Sequence, residues 1–324
     1  VEEIPAGCVP KRILREKECA KIMTGAPVPQ GADCVIMVEY TEAIGKERIR
    51  FTGEKTANNI CYRAEDMKVG DCVLKAGQII GPSHIAVMAA VGCTHPTVSI
   101  QPRVAVIATG TELVAPDTQA GGAKSRDRSS PQRCAQISAR SALPHYYGIV
   151  PETEEAINAV IAQANSENDL IILSGGVSMG DYDLVPGVLQ KNGFEFLFDS
   201  VAMQPGRPTI FGRADQTFCC GLPGNPVSTY VIFEILLKPF LYGLMGHAYS
   251  PVVTTATLDQ PIRRRNTTRR SNVPVVFTDQ GTVRPVEYHG SAHINAMTQA
   301  QGLVAVPIGT KELSKGCTVH VRQI

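Results

Sequence analysis

The chain has 324 residues, which is enough for several domains because a single hydrophobic core stops growing at about 250–300 residues. Its 31 Lys and Arg against 30 Asp and Glu give a formal net charge of +1, so charge does not favour nucleic acid or an anionic membrane surface as a partner. We predict no membrane span and no export leader. The ten cysteines form no CxxC pair, which indicates reduced, buried thiols in a cytoplasmic protein and disfavours zinc.

In chain order, four regions differ in pattern. Residues 1–62 alternate short apolar stretches with Gly and Pro, which predicts a small β-rich module. Residues 63–97 predict a connecting element with a hairpin over 70–77 and a helix from Pro82 that stops at Gly92. Residues 98–247 alternate strands with helices, the helices being predicted over 151–165, 182–191 and 227–243. Residues 248–324 return to strand-like alternation and predict a small, barrel-like β domain with a short helix near 292–301.

Three apolar runs in the third region each end in a polar turn that contains glycine. The runs are 105–108, 170–173 and 218–220. Strands that alternate with helices predict a doubly wound, mostly parallel sheet that binds ligands at the carboxyl ends of its strands. Glycine lets the N–H groups of a turn point at an anion, and a following helix adds its positive end. The predicted fold class is therefore α/β plus β: a central doubly wound sheet with a polyanion site, flanked by small β modules.

Carboxylates accompany two of these turns. Asp181 and Asp183 precede a predicted helix, and acidic groups beside an anion site indicate a bridging Mg²⁺. The alternative is that Asp183 only caps that helix. Glu112 follows a different strand of the same sheet and is expected to face the same crevice. Asp66 lies in a polar loop outside the sheet, where a solvated surface charge is the simpler interpretation.

Rigid turns and basic residues supply further candidates. Arg207 lies in a Gln-Pro-Gly-Arg-Pro turn and suits phosphate or oxyanion recognition, because its planar fork binds two oxygens. Gly224 and Asn225 lie between two prolines, which favours preorganised ligand contacts. Other basic residues occur in predicted loops and are either solvated or in contact with oxyanions; they are Lys124, Arg126, Arg128, Arg133, Arg263, Arg264, Arg265, Arg269 and Arg270.

Six motifs, in this order, resemble the signature series of the MoeA family of molybdopterin molybdenumtransferases. They are Thr24–Asp33, Arg63–Asp66, Thr109–Leu113, Ser174–Asp183, Gln204–Pro208 and Leu222–Ser228. The resemblance implies an elongated, four-part homodimer with a molybdopterin-binding α/β domain. It also implies insertion of molybdate into adenylylated molybdopterin with release of AMP, assisted by Mg²⁺. The implied partners are a molybdopterin adenylyltransferase and proteins that mature molybdoenzymes.

The same resemblance assigns roles to individual residues. Asp183, Glu112 and Asp66 are implied as catalytic, with Asp183 and Glu112 also binding the metal. Substrate-binding roles are implied for Gly175, Gly176, Ser178, Gly180, Arg207, Gly224, Asn225, Ser228, Ser129, Arg269, Arg270 and Ser291.

Two features depart from the family pattern. A leading Ser-Ala-Met-Asp-Gly motif, whose aspartate the family uses in catalysis, does not occur in this sequence, so either the sequence is truncated or the protein lacks one functional carboxylate. The family's helix-opening Ser-Asn pair is replaced within 125–131, where Ser129 is the nearest counterpart. With these two departures, we expect turnover to be impaired more than substrate binding. Two alternative functions stay open at this point, a molybdopterin adenylyltransferase and a gephyrin-like scaffold.

Overall fold

The computed structural model describes residues 1–177, 183–287 and 290–324. The chain forms two compact units, Val1–Lys75 and Ala76–Ile324. This division is coarser than the four predicted modules, whose boundaries stay a prediction.

The first unit contains short strands joined by turns and irregular segments. Two of the strands pair in parallel and the other two form an antiparallel hairpin. Its elements are β1 (Glu3–Ile4), β2 (Lys21–Ile22), a 3-10 turn (Val38–Tyr40), β3 (Thr41–Ile44) and β4 (Arg48–Phe51). The regular structure here is β, as the alternating pattern predicts.

The predicted hairpin over 70–77 is wrong. This fully described segment forms turns and no strand, and Gly70 and Gly77 have φ angles of +95° and +83°. Nearly all of its side chains are exposed. A pair of strands here would have no buried face, and an isolated hairpin without one is marginally stable in water.

The second unit contains the remaining helices and strands. Its helices are α1 (Pro82–Ala90), α2 (Ser129–Ser138), α3 (Glu154–Glu167), α4 (Leu184–Lys191), α5 (Pro226–Ile232), a π-helical segment (Phe233–Leu237), α6 (Lys238–Leu244) and a 3-10 helix (Ile294–Thr298). Its strands are β5 (Arg103–Thr109), β6 (Leu113–Val114), β7 (Ser125–Arg126), β8 (Leu143–Val150), β9 (Leu170–Ser174), β10 (Glu195–Phe198), β11 (Met203–Gln204), β12 (Ile210–Ala214), β13 (Thr217–Leu222), β14 (Val253–Thr257), β15 (Ile262–Arg263), β16 (Arg270–Phe277), β17 (Val283–Pro285), β18 (Gly302–Val306), β19 (Glu312–Leu313) and β20 (Thr318–Gln323).

A six-stranded sheet with the order β10-β12-β13-β9-β5-β8 lies at the centre of this unit. The four strands β13, β9, β5 and β8 are parallel, whereas β10 and β12 pair antiparallel at one side. Helices cover both faces. On one face Ile107 and Leu173 pack with α3 and α4, and on the other Val106 and Ile172 pack with α2 and the α5–α6 helix. The predicted doubly wound, mostly parallel sheet is confirmed.

The helices differ from their predicted bounds at the ends. α3 begins at Glu154, three residues after the predicted start, because the Thr153 hydroxyl accepts a hydrogen bond from the Ala156 amide and caps it. α4 begins at Leu184, and residue 182 of the predicted helix lies outside the described residues.

The segments α5, π and α6 form one helix, Pro226–Leu244, with the length and mean hydropathy (1.4) of a membrane span. The sequence predicts a helix over 227–243 but no segment with the length and hydropathy of a membrane span. Its apolar side chains, among them Ile232, Phe233 and Leu237, are buried against the central sheet. This is the burial pattern of a core helix.

The remaining strands form a second sheet with the order β11-β16-β18-β20-β14, and β17 pairs with β16. Its core includes Val275, Val304 and Val321. The strand-like alternation predicted over 248–324 corresponds to strands that include β14, β16 and β20, and the predicted short helix is a 3-10 helix. A barrel-like closure stays a prediction.

All ten cysteines are free. Cys219 and Cys220 lie buried in β13, as predicted, and burial raises the pKa of the Cys219 thiol to about 12. The prediction that the thiols are all buried is wrong, because five cysteines lie in turns and irregular segments that bury little apolar surface. These exposed residues are Cys8, Cys19, Cys61, Cys72 and Cys93.

Candidate functional site

Three turns meet at the carboxyl ends of β5, β9 and β13. β9 and β5 are neighbours, and the chain leaves β5 towards β8 on one side while it continues from β9 towards β13 on the other. A crevice opens at such a change of direction in a parallel sheet. Thr109, Ser174 and Leu222, the last residues of the three strands, therefore lie beside a natural ligand position.

Gly175 allows two of these turns to approach closely. Its φ is +91°, and a Cβ here would lie 2.0 Å from the carbonyl oxygen of Thr109 and 2.9 Å from the Thr109 Oγ1. The Gly175 N–H donates to the Leu222 carbonyl (3.4 Å), and the Thr109 hydroxyl donates to the Ser174 carbonyl (3.3 Å). The ends of three strands are thus held together at one residue that has no side chain.

A pocket of about 300 Å³ lies at this edge of the sheet, and we refer to it as the first pocket. Four segments form its wall: the turn after β5, the segment that leads into α2, the turn after β9, and the turn before α5. The lining residues are Thr109, Glu112, Leu113, Ser125, Arg126, Asp127, Arg128, Ser129, Ser174, Gly175, Gly224, Asn225 and Pro226.

The formal charges on the wall of the first pocket cancel. Glu112 and Asp127 supply two carboxylates, and Arg126 and Arg128 supply two guanidinium groups. Arg126 is held by a hydrogen bond from its Nε to the Thr118 carbonyl (3.0 Å). A polyanionic ligand would gain from further positive charge at the site, from helix N-termini or a bound cation.

Asp127 is a pocket residue that the sequence analysis does not identify. It is buried, and its Oδ1 accepts hydrogen bonds from the amides of Ser129 and Ser130, both at 3.0 Å. Its Oδ2 accepts from the Tyr146 hydroxyl (3.2 Å). Burial and the neighbouring Asp127 carboxylate raise the pKa of Tyr146 to about 12. The signal for this role was an aspartate just ahead of a Ser-Ser-Pro helix start, which is a common N-terminal capping pattern.

A second pocket, of about 380 Å³, lies between the segment after β10 and the loop before β16. Parallel pairing of β11 with β16 brings these two segments together. The pocket contains two guanidinium groups, Arg207 and Arg269, and several neutral polar donors. Its lining residues are Ser200, Val201, Ala202, Arg207, Asn266, Thr268 and Arg269.

Family models match three successive parts of the chain. They describe the MoeA N-terminal region (domain I and II) at residues 1–92, a probable molybdopterin binding domain at 105–243, and the MoeA C-terminal region (domain IV) at 255–324. A Staphylococcus epidermidis protein named molybdopterin molybdenumtransferase is 34% identical over 327 residues, covering 99% of this chain and 77% of that protein. The chain belongs to the MoeA family.

A further relative and a solved structure agree with this assignment. The molybdopterin molybdenumtransferase of Bacillus subtilis is 31% identical over 328 residues, covering 99% of this chain and 76% of that protein. The crystal structure of the molybdopterin biosynthesis MoeA protein from Pyrococcus horikoshii superposes with a TM-score of 0.81 at 26% identity, covering 100% of this chain and 80% of that one. The resemblance inferred from the six motifs is confirmed.

In this MoeA family chain seven of the predicted site residues line one of the two pockets. Five of them line the first pocket: Glu112, Ser129, Gly175, Gly224 and Asn225. Arg207 and Arg269 instead line the second pocket. The sequence analysis does not predict this separation, because it depends on how β11 pairs with β16.

Asp183 and Gly176 border the first pocket. A Cβ at Gly176 would lie 4.0 Å from the Asp183 Oδ1, so the carboxylate lies beside the glycine turn that follows β9. Asp183 takes the N-cap position of α4, as the alternative interpretation expects, but among the described residues its carboxylate makes no capping hydrogen bond. Ser178 and Gly180, also predicted to bind substrate, lie outside the described residues.

Three predicted substrate-binding residues, Ser228, Arg270 and Ser291, lie outside the walls of both pockets. Ser228 is buried within α5, and the amide next to it, of Val227, donates to the Ser291 carbonyl (3.0 Å). Arg270 begins β16, and its amide donates to the Ala202 carbonyl (2.8 Å). Within the described parts of the chain, these three residues are not in the wall of either pocket.

Asp66 lies in an exposed turn of the first unit. Its predicted place in the same crevice as Glu112 stays a prediction.

Arg133 is not in a solvated loop, one of the two interpretations that the sequence left open. It lies on α2 and its side chain is fully buried. Its guanidinium interacts electrostatically with Asp127, Tyr146 and Cys220, and burial lowers its pKa to about 10.

The carboxylate oxygens at the first pocket fit a Mg²⁺ ion that is held jointly by the protein and by the ligand. Mg²⁺ commonly binds one or two carboxylates together with substrate phosphates. Glu112 lines the pocket, and Asp183 borders its glycine turn. Within residues 1–177, 183–287 and 290–324, no cluster of three or more His, Cys, Asp or Glu is placed to hold a metal alone.

Proposed function

We propose that this chain is a molybdopterin molybdenumtransferase, which inserts molybdenum into molybdopterin during molybdenum cofactor biosynthesis, and that its first pocket binds adenylylated molybdopterin. Relatives of that name match over 99% of the chain. The observation that carries the placement of the substrate is the joining of three strand ends around Gly175, which builds one polar pocket at the carboxyl edge of a parallel sheet.

The charged groups of the first pocket suit a ligand with a pyrophosphate link. Arg126 and Arg128 are placed to offset phosphate charge on the side of the pocket next to α2. Glu112 and Asp183 would hold Mg²⁺, which when bound neutralises phosphate charge and favours departure of AMP. Without a cation the two carboxylates would repel the same phosphates.

The second pocket suits molybdate. Molybdate is a compact dianion with four oxygens, and Arg207 and Arg269 bring two positive charges into one cavity. Asn266 and Thr268 add neutral hydrogen-bond donors to the same wall. We assign this pocket to the incoming oxyanion and the first pocket to the pterin.

The proposed partners of the enzyme follow from this chemistry. A molybdopterin adenylyltransferase would supply the substrate, and proteins that mature molybdoenzymes would take the product. We propose a homodimer in the cytoplasm; ten free cysteines and a net charge of +1 agree with that compartment and with small anionic ligands as the main partners.

The test supplies the protein with adenylylated molybdopterin, molybdate and Mg²⁺. AMP is measured by chromatography, and the cofactor is measured by activation of a molybdenum-free molybdoenzyme. We expect AMP release that requires both molybdate and Mg²⁺. Glu112→Gln is expected to slow it at least about tenfold without changing the melting temperature, since it removes a charge that acts on metal and phosphate.

Asp117→Asn is the matched control, because Asp117 is an exposed carboxylate in the same region that does not line the pocket. It should behave like the wild type. If neither AMP nor active cofactor forms, the proposed function is wrong. If the protein instead makes adenylylated molybdopterin from ATP and molybdopterin, it is an adenylyltransferase.

A further inference from the structure

Arg133 is a buried charge one helical turn away from the wall of the first pocket. It lies on α2, and none of its side chain is exposed. Its Nη2 donates to the Ser130 hydroxyl at 2.9 Å. The two other guanidinium nitrogens, Nε and Nη1, are buried and have no hydrogen-bond partner among the described residues.

Ser130 connects this guanidinium to the pocket. Its hydroxyl accepts from Arg133, and its amide donates to the Oδ1 of Asp127. Asp127 lines the pocket, accepts a second amide hydrogen bond from Ser129, and is held on its other oxygen by Tyr146. A continuous polar network therefore runs from Arg133 to two residues of the pocket wall.

Stability does not account for an arginine at this position. A buried charge with unsatisfied donors is unfavourable, and apolar side chains of similar volume often replace buried ions without loss of stability. The two ends of the network differ in how well their hydrogen-bonding groups are satisfied. The Asp127 carboxylate accepts three hydrogen bonds, whereas the Arg133 guanidinium donates only one to a described residue. What Arg133 does provide is a fixed positive charge that attracts the Asp127 carboxylate, which accepts hydrogen bonds from the first amides of α2.

We propose that Arg133 is a positioning residue of the first pocket. Acting through Ser130, it holds Asp127 and the first turn of α2 in the conformation that places Ser129 on the pocket wall. The inference rests on the proposed function, because the position of Ser129 affects a ligand only if this pocket binds it. Arg133 itself does not line the pocket and does not touch the ligand.

The ligand-side test measures the Kd of adenylylated molybdopterin, with Mg²⁺ and without molybdate, for the wild type and three variants. Arg133→Met keeps the length of the side chain and removes the charge, and Arg133→Lys keeps the charge. We expect Arg133→Met to raise the Kd about tenfold, the size of one lost charge-assisted hydrogen bond, and Arg133→Lys to stay within about threefold of the wild type. The control Arg140→Met removes an arginine just beyond the far end of α2 and should leave the Kd unchanged.

A second measurement needs no ligand. Hydrogen exchange of the Ser129 and Ser130 amides should be faster in Arg133→Met than in the wild type, while the melting temperature stays equal or rises. Arg133→Lys should exchange like the wild type. Faster exchange throughout the second unit with a lower melting temperature would assign Arg133 a merely structural role and overturn the inference.

The two measurements separate this inference from the proposed function. If the wild type does not bind adenylylated molybdopterin, the proposed function fails, and the exchange rates still decide whether Arg133 positions α2. If the wild type binds and Arg133→Met binds equally well with unchanged exchange, the inference fails and the proposed function stands.

Discussion

Replacing Gly175 with alanine tests the geometry on which the first pocket depends. The new Cβ would lie 2.0 Å from the Thr109 carbonyl oxygen, and the residue has a φ of +91°. A non-glycine residue in this conformation costs about 1–3 kcal/mol, and weakening the hydrogen bond to Leu222 adds about 0.5–1.5 kcal/mol. The substitution should therefore lower the free energy of unfolding by about 3 kcal/mol. For a domain of this size, that is a fall in melting temperature of about 6–12 °C.

Gly224→Ala is the matched control. Gly224 lines the same pocket, but a Cβ there meets no atom within 4 Å. It should change the melting temperature by less than about 2 °C, in keeping with a substitution that meets no neighbour. Scanning calorimetry and molybdopterin binding are measured on both variants. We expect Gly175→Ala to lose stability and binding together, because the Thr109 turn must move to admit the methyl group. Equal melting temperatures for the two variants would show that the close approach of Gly175 to Thr109 does not limit stability.

Other parts of the structure support three more predictions. Glu234→Ala should lower the free energy of unfolding by about 3–5 kcal/mol, because it leaves the buried Lys238 ammonium, now 2.9 Å from the carboxylate, without its counter-ion; a urea midpoint equal to the wild type's would contradict this. Arg269→Ala should raise the molybdate concentration for half-maximal AMP release at least about tenfold and leave molybdopterin binding unchanged, whereas loss of both would show that the two pockets are not separate sites. The hydrogen bond from Tyr147 lowers the pKa of Glu167, so the ionised carboxylate stabilises the fold above its ordinary pKa of 4.5, and this stabilisation is lost as the pH falls through the lowered pKa. Tyr147→Phe should accordingly weaken the dependence of melting temperature on pH just below 4.5, and an unchanged acid profile would exclude the assigned cause.

The central sheet could be predicted because its inner strands are buried on both faces and appear in the sequence as continuous apolar runs. β9, whose five residues are all buried, is the clearest case. β8 has no such run, since it lies at the edge of the sheet and exposes Leu143 and Tyr146. The sequence analysis assigns no strand there for that reason.

The first pocket was partly predictable for a geometric reason. The carboxyl ends of parallel strands lie at one edge, so Glu112, Gly175 and Gly224 could be expected to meet although they are far apart in the chain. Asp127 and Arg133 could not be placed in this way. Their segment is rich in basic residues and serine and is typical of a solvated loop, whereas the burial of Arg133 depends on α2 packing against the sheet, which no local pattern contains.

The parallel pairing of β11 with β16 has a consequence for how the molecule can be divided. Met203 and Gln204 pair with Arg270 and Ser271. A short pair of parallel strands therefore connects the segment after β10 to the terminal strands. A fragment cut near residue 248 would keep Arg207 and lose Arg269. Such a fragment would keep only one of the two guanidinium groups that line the second pocket, so the wall of this pocket depends on the terminal strands.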